Sequence, residues 1–385
     1  MLKRRIYEEE HEIFRDSVRK WAQQHMEPHV EAWREAGQVS KELWLAAGEA
    51  GYLAMYADEK YGGLALDDFR YDMVLNEELT NVESGFFLPL HNRIVGPYLH
   101  KSGTEEQKDR FMADVVAGRR ILAIGMTEPG TGSDLAAIKT RAVDNGDHWV
   151  LNGSKTYISN GQIAGLYLIA ARTDPADPRA IGLFWVEEER EGFTKGRNLK
   201  KMGLQAQDTS ELFFEDVKLP KENLLGNGRD GFKLMMKNLA EERMIGASGY
   251  LARAERAFQV TMDFITERRA FGQPIGTFQN SRFTMAAMRT KLDAAWAFVD
   301  HCATEHMEGS LSAEHAAEVK LFISEVEGEV VDACVQLHGG AGYMQEYEIS
   351  RHFVDARISR IYAGTSEIMK EIIGRGLGLD DRQRN

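Results

Sequence analysis

Several stretches of the chain combine residue types that can do chemistry. Glu241-Glu242-Arg243 follows an apolar stripe of Phe232, Met235, Met236 and Leu239, and the next helical steps of three and four residues land on Glu242 and Arg243. Gly246 and Gly249 leave space on the same face. A carboxylate on a buried stripe has a raised pKa and suits a general base facing an apolar substrate; a stripe that simply ends there leaves Glu242 solvated, the usual fate of a mid-helix Glu. Thr127-Glu128-Pro129-Gly130-Thr131-Gly132-Ser133-Asp134 follows a strand and offers backbone amides on a Gly loop, either a cradle for phosphate or flavin edges or a structural turn. It lacks the Gly-Lys-Ser/Thr of a P-loop and the third Gly of the dinucleotide fingerprint. Ile361-Tyr362-Ala363-Gly364-Thr365-Ser366-Glu367 breaks and restarts a helix with Thr365 or Ser366 as N-cap, an anion site or an ordinary cap. Arg268-Arg269-Ala270-Phe271-Gly272 with Gln279 sets a cation and an amide near a turn, a binding element or plain surface. Histidines and acids show no metal-ligand spacing, so no metal is expected.

These stretches need elements to hold them. Residues 1–120 read as helices. Ile13, Phe14, Val18, Trp21, Val30 and Trp33 recur at helical spacing, Ser40 is an N-cap with Gly51 ending its helix, and Thr104-Glu105-Glu106-Gln107 is a capping box. Residues 121–225 change texture. Short β-rich runs at 121–126, 149–151, 166–170, 181–186 and 212–214 alternate with turn clusters, and Asn-Gly pairs at Asn145, Asn152 and Asn160 supply the positive φ of tight hairpins. A barrel or sandwich is predicted there. Residues 226–385 return to helical periodicity in four segments, 229–267, 279–309, 312–338 and 347–376, which fit a bundle, with a polar, frayed end from Asp380 to Asn385.

The 385 residues suit two or three domains, and 43% hydrophobic with 28% charged residues is the mix of a folded soluble protein. No run is apolar and long enough to span a bilayer, and the charged start, Met1 to Glu12, has no signal-peptide core. Cys302 and Cys334 make neither a disulfide framework nor a CxxC site, so a reducing compartment is expected. A net charge of −13 disfavours nucleic acid, and any anion must be held by local donors.

Taken in order, the motifs resemble the acyl-CoA dehydrogenases over nearly the whole chain: MTEPGTGSD (126–134), NGSKTYISNG (152–161), KMGLQAQDTSELFFEDVKLP (201–220), ERRAFGQPI (267–275), QLHGGAGY (336–343) and IYAGTSEIMKEIIGRG (361–376). The likeness is strongest to the long-chain branch across 201–220 and 336–373. It implies an α+β multi-domain fold: an N-terminal helical domain, a middle β-barrel-like domain and a C-terminal four-helix bundle. It also implies FAD held between the last two, in a homotetramer or homodimer. By resemblance, Ile124, Met126, Thr127, Gly132 and Ser133 with Tyr157, Ile158 and Ser159 line the flavin. Arg268, Phe271, Gln279, Gln336, Gly339 and Gly340 take the pyrophosphate and adenosine half, often across a subunit interface, and Thr365 and Glu367 close over the cofactor. Ser133, Arg243, Ala363 and Gly364 resemble positions that touch the acyl-CoA.

Two departures stand out. Many members carry their catalytic Glu where this chain has Ala363; the long-chain and isovaleryl branches place it before an Arg on the earlier helix, which is Glu242 here. Lys233 stands where the long-chain pattern has an aromatic residue. The implied reaction is α,β-dehydrogenation of a fatty acyl-CoA to the trans-2-enoyl-CoA in β-oxidation. Glu242 takes the α-proton, hydride goes to flavin N5, the Ala363 N–H with a ribityl hydroxyl holds the carbonyl oxygen, and electrons pass to an electron-transfer flavoprotein. Glu241 is the rival base, about 100° around the helix. The alternatives are an acyl-CoA oxidase or other flavin enzyme of the same fold, and a catalytically inactive acyl-CoA-binding scaffold motivated by Ala363. A bacterial cytoplasm is expected, a processed mitochondrial matrix enzyme being the other assignment.

Overall fold

The computed structural model describes residues 2–177 and 179–379, so the expected fraying of Asp380 to Asn385 lies outside the described residues. The chain opens with six helices: α1 (Glu9–His25), α2 (Val30–Ala36), α3 (Lys41–Glu49), α4 (Phe69–Thr80), α5 (Gly96–Ser102) and α6 (Glu105–Val116). Ser40 caps α3 by accepting from Leu43 N, and Thr104 and Gln107 close the capping box at the start of α6. The stripe expected on α1 holds for Val18 but not for Ile13, which is exposed. A short 3₁₀ turn at Glu27–His29, with Pro28 inside it, separates α1 from α2 and resets the helical phase.

The middle of the chain forms β1 (Leu122–Gly125), β2 (Arg141–Asp144), β3 (His148–Ser159), β4 (Leu166–Arg172), β5 (Ile181–Glu187), β6 (Phe193–Asn198), β7 (Thr209–Pro220) and β8 (Leu224–Leu225). Their order is β6-β7-β3-β2-β4-β5-β8, with β1 pairing parallel to β4. β2 joins the two halves through one pair, Arg141 with Arg172. Both halves face one core: Trp149 of β3 meets Phe184 of β5, and Tyr167 of β4 meets Phe193 of β6. The sheet therefore curls around its contents like a barrel, while its end strands β6 and β8 do not pair with each other. β4 and β5 are apolar on both faces because their second face packs on helices. Of the three Asn-Gly pairs, only Asn145-Gly146 turns a hairpin, between β2 and β3. Asn152-Gly153 runs on within β3 opposite a bulge in β7, where Glu215 and Asp216 together face Asn152, and Asn160, itself at φ +58°, ends β3 on the way to β4.

The last third is α7 (Gly231–Glu267), a two-stranded turn of β9 (Arg269–Ala270) and β10 (Gln273–Pro274), then α8 (Gln279–Met307), α9 (Ala313–His338), α10 (Glu348–Ala356) and α11 (Ser366–Gly376). The helical segment over 347–376 is divided as the break expected at Ile361–Glu367 requires: Ala363 and Gly364 adopt φ of +54° and +90°, and of the two N-cap candidates Thr365 caps the new start by accepting from Ile368 N. α7 packs on α4, α8, α9 and α10, and so ties the first third to the last.

Candidate active site

Adjacent glutamates on α7 have opposite fates. Glu241 is buried and accepts from Arg93 Nη1 at 3.3 Å and Lys101 Nζ at 3.1 Å, both on the N-terminal helical side. Glu242, about 100° around the helix, has no hydrogen bond or ion pair among the described residues, and burial pushes its carboxyl up to about 7 although Arg243 and Lys320 pull it down. Tyr98 of α5 feels its charge. The two differ in their partners: Glu241 is held by Arg93 and Lys101, and Glu242 has none among the described residues.

Around Glu242 the α7 face is open. At 100° per residue, Phe232, Met236, Leu239 and Arg243 share one strip. Phe232 and Met236 are exposed, whereas Met235, one step around, is buried. The stripe is therefore not core but an uncovered apolar track ending at Arg243, and Lys233 lies exposed beside it. Arg243 is buried, its Nε has no partner, and burial pushes its guanidinium down against the pull of Glu242. The room expected at Gly246 and Gly249 is filled by protein: a methyl on Gly249 would stand 2.7 Å from Asn76 Nδ2, and one on Gly246 would stand 2.7 Å from the Tyr250 hydroxyl.

Across from this helix, Lys320 of α9 donates to the Gly364 carbonyl at 2.6 Å and holds the turn that carries Ala363 and Thr365. Beneath it, Arg253 Nε meets Glu327 at 2.5 Å, and Tyr250 stacks on Tyr362. The end of β1 reaches the site through a π-helical turn, Leu90–Val95, which packs on both β1 and α7. His91 in that turn accepts from Leu122 N and donates to Val115 O, and burial pushes it down to about 4, so it is neutral.

The Gly loop is anchored by its own acid. Glu128 accepts from Lys155 Nζ at 2.8 Å and from the Lys139 and Thr140 amides at 2.7 and 2.9 Å. The Gly130, Gly132 and Ser133 amides donate to no group among the described residues, and open space lies beside both glycines. Ile124, Met126 and Thr127 are half-buried at the end of β1, and Tyr157 is 70% exposed at φ +58°. Ser159 is half-buried, but the Ile158 side chain points into the sheet core, which leaves only its backbone for a ligand. Ser366 at the head of α11 is buried with an unpartnered hydroxyl, and Glu367 is exposed. Arg268, Phe271, Gln279, Gln336, Gly339 and Gly340 are all exposed and lie at the far end of α7, in the β9–β10 turn, at the start of α8 and at the end of α9. Glu242 and Arg268 are about 39 Å apart along the helix at about 1.5 Å per residue, so one chain does not gather both sets around one ligand. Two cavities, of about 330 Å³ beside Leu2–Ile6 and about 700 Å³ between α1–α2 and α7–α10, are not lined by Glu242. Among the described residues no cluster of His, Cys, Asp or Glu suits a metal ion, and no helix is long and apolar enough to cross a membrane.

Comparison with known proteins fits this geometry. Family models for the acyl-CoA dehydrogenase N-terminal, middle and C-terminal domains match residues 8–119, 123–217 and 229–378. The mitochondrial long-chain specific acyl-CoA dehydrogenase of Rattus norvegicus is 42% identical over 380 residues, 98% of this chain and 88% of that protein. The chain belongs to the acyl-CoA dehydrogenase family. A crystal structure of an acyl-CoA dehydrogenase from Geobacillus kaustophilus superposes with a TM-score of 0.96 at 45% identity, over 97% of this chain and all of that one. A glutaryl-CoA dehydrogenase from Mycobacterium smegmatis, solved in complex with FADH2, gives 0.91 at 28% identity over 98% and 96% of the two chains. The helical, sheet and helical parts are those of the acyl-CoA dehydrogenase fold, and the chain's class is that of a flavin-dependent oxidoreductase.

Sequence reasoning missed several residues that surround Glu242 and the Gly loop in this acyl-CoA dehydrogenase fold. Lys320, Tyr98 and Arg93 lie in none of the quoted motifs, and although Glu128 and Lys155 each lie in one, their pairing joins residues remote in sequence. The one legible signal was Glu128 inside the Gly loop, a charge where a plain turn needs none.

Proposed function

We propose that the protein dehydrogenates a fatty acyl-CoA thioester to the trans-2-enoyl-CoA, with Glu242 as the base and FAD as the oxidant. The carrying observation is the Glu242 carboxyl, unpartnered, held near pKa 7 by burial, at the end of an uncovered apolar track. Glu242 takes the α-proton from carbon to its carboxylate oxygen. FAD held here would supply the two-electron acceptor for the β-hydrogen and its electron pair, and an electron-transfer flavoprotein is the onward acceptor by family resemblance. An α-proton beside a thioester is weakly acidic, so the carbonyl oxygen needs a fixed donor; the Ala363 N–H, in a turn pinned by Lys320, is the group we assign.

The residues fit the cofactor. Unpartnered amides at Gly132 and Ser133, half-buried Met126, Thr127, Ile124 and Ser159, the Ile158 backbone and exposed Tyr157 would hold the flavin, and Thr365 and Glu367 at the head of α11 would close over it. Ser133, Arg243, Ala363 and Gly364 are assigned to the acyl-CoA, and the orphaned Arg243 Nε supports this. The distance from Glu242 to Arg268 supports an oligomer, a homotetramer or homodimer, in which Arg268, Phe271, Gln279, Gln336, Gly339 and Gly340 serve a neighbouring chain's cofactor. We divide the chain at 1–120, 121–225 and 226–385, and place the protein in the cytoplasm of a bacterium.

Anaerobic addition of acyl-CoAs of graded chain length to the purified protein tests this reading. The yellow flavin band is expected to bleach with a fatty acyl-CoA, and Glu242→Gln is expected to slow bleaching by about 10²–10⁴-fold. A colourless protein that takes up no FAD, or a Glu242→Gln variant that bleaches as fast, overturns it.

A further inference from the structure

Lys320 is fully buried on α9, and among the described residues its ammonium has one hydrogen bond, to the neutral Gly364 carbonyl at 2.6 Å. A buried ammonium with a single neutral acceptor is costly, and an apolar side chain of similar length fills the same space at no such cost. What surrounds it explains the retention. From α7, Glu242 and Arg243 both act on it; from α11, Glu367; from its own helix, Glu327, which is already paired with Arg253. Around Glu242 itself stand Arg243 of its own helix, Lys320 of α9 and the Tyr98 hydroxyl of α5, while Glu241 turns away to Arg93 and Lys101. Lys320 therefore lies where the proposed base and the Ala363–Thr365 turn come together.

We propose that Lys320 is a positioning residue of the reaction: it fixes the Ala363–Thr365 turn through the Gly364 carbonyl and, in its protonated form, sets a positive charge that acts on Glu242. The inference rests on Glu242 being the base. Burial raises the Glu242 carboxyl, and Lys320 and Arg243 are the charges that oppose the rise. Removing one of them moves the carboxyl further up, so the ionised base is lost at a higher pH.

The test is the pH dependence of anaerobic flavin reduction by one fixed acyl-CoA in the FAD-loaded protein. Lys320→Gln keeps a donor for Gly364 but loses the charge, Lys320→Met loses both, and Lys320→Arg keeps the charge. The acidic limb is expected to move up by about one pH unit in the Gln and Met variants and to stay in place in the Arg variant. Thermal unfolding accompanies each, since a purely structural lysine lowers stability without moving the limb. If Met fails to fold, the Gln and Arg variants decide. An unmoved limb in folded Lys320→Gln overturns the inference while an inactive Glu242→Gln leaves the base in place; a fully active Glu242→Gln overturns the base itself.

Discussion

Lys155 donates to the Glu128 carboxylate at 2.8 Å, and both side chains are buried. Glu128 thus ties the Gly loop to β3 and to the Lys139 and Thr140 amides, and leaves the Gly130, Gly132 and Ser133 amides without a partner among the described residues. Burial works to raise the Glu128 carboxyl, but Lys155 and those amides hold it below the usual carboxylate range.

Lys155→Met is therefore expected to cost about 3–5 kcal/mol, because it strands a buried carboxylate, and to lower the flavin-to-protein absorbance ratio. A depressed carboxyl contributes stability above its unfolded pKa and loses it as pH falls through the folded value. The gap between wild type and variant in thermal unfolding should accordingly narrow in acid, below roughly pH 4.

Glu242 has the opposite sign. Its carboxyl is raised to about 7, so the stability linked to its protonated form is present in acid and lost as pH rises through 7. Glu242→Gln should unfold at a higher temperature than wild type at pH 8, by at most about 3 kcal/mol in stability, with the advantage fading toward pH 5. An equal melting temperature at pH 8 contradicts this.

Gly249→Ala is expected to destabilise by about 1–3 kcal/mol in denaturant unfolding. The new methyl would stand 2.7 Å from Asn76 Nδ2, which cannot retreat without losing its bonds to the Ile245 carbonyl and the Ser248 hydroxyl, at 2.8 and 2.9 Å.

Arg253→Met should cost about 3–5 kcal/mol by leaving Glu327 buried and unpaired. Combining it with Glu327→Leu should recover most of that loss, since two apolar side chains need no counter-charge. A double variant no more stable than the single one means that the pair contributes through the turn above it.

Much of the helical and sheet layout was legible because local rules govern it: the Thr104 box, the Ser40 cap and the unbroken apolar runs of β4 and β5 act within a few residues. Glu242 was legible for a related reason, as helical phase places it next to a stripe. The meaning of that stripe was not. Whether Phe232 and Met236 are covered depends on what α7 meets in space, and the same limit hid that Asn76 fills the gap at Gly249. Asn152-Gly153 shows the converse: a strong turn signal is overruled when β7 runs alongside, pairs through it and bulges by one residue opposite Asn152.

The start of α7 is stitched to β5 by a bridge between Ile181 and Asp230, its middle lies on α4, and its far end reaches Arg268. One apolar core, running from Ala54 through Leu183 to Ala356, crosses all three matched segments. The three are consequently not exchangeable parts. A middle sheet transplanted from a distant relative would arrive with a face cut for other helices, so an exchange of one part has to bring the matching helix faces with it.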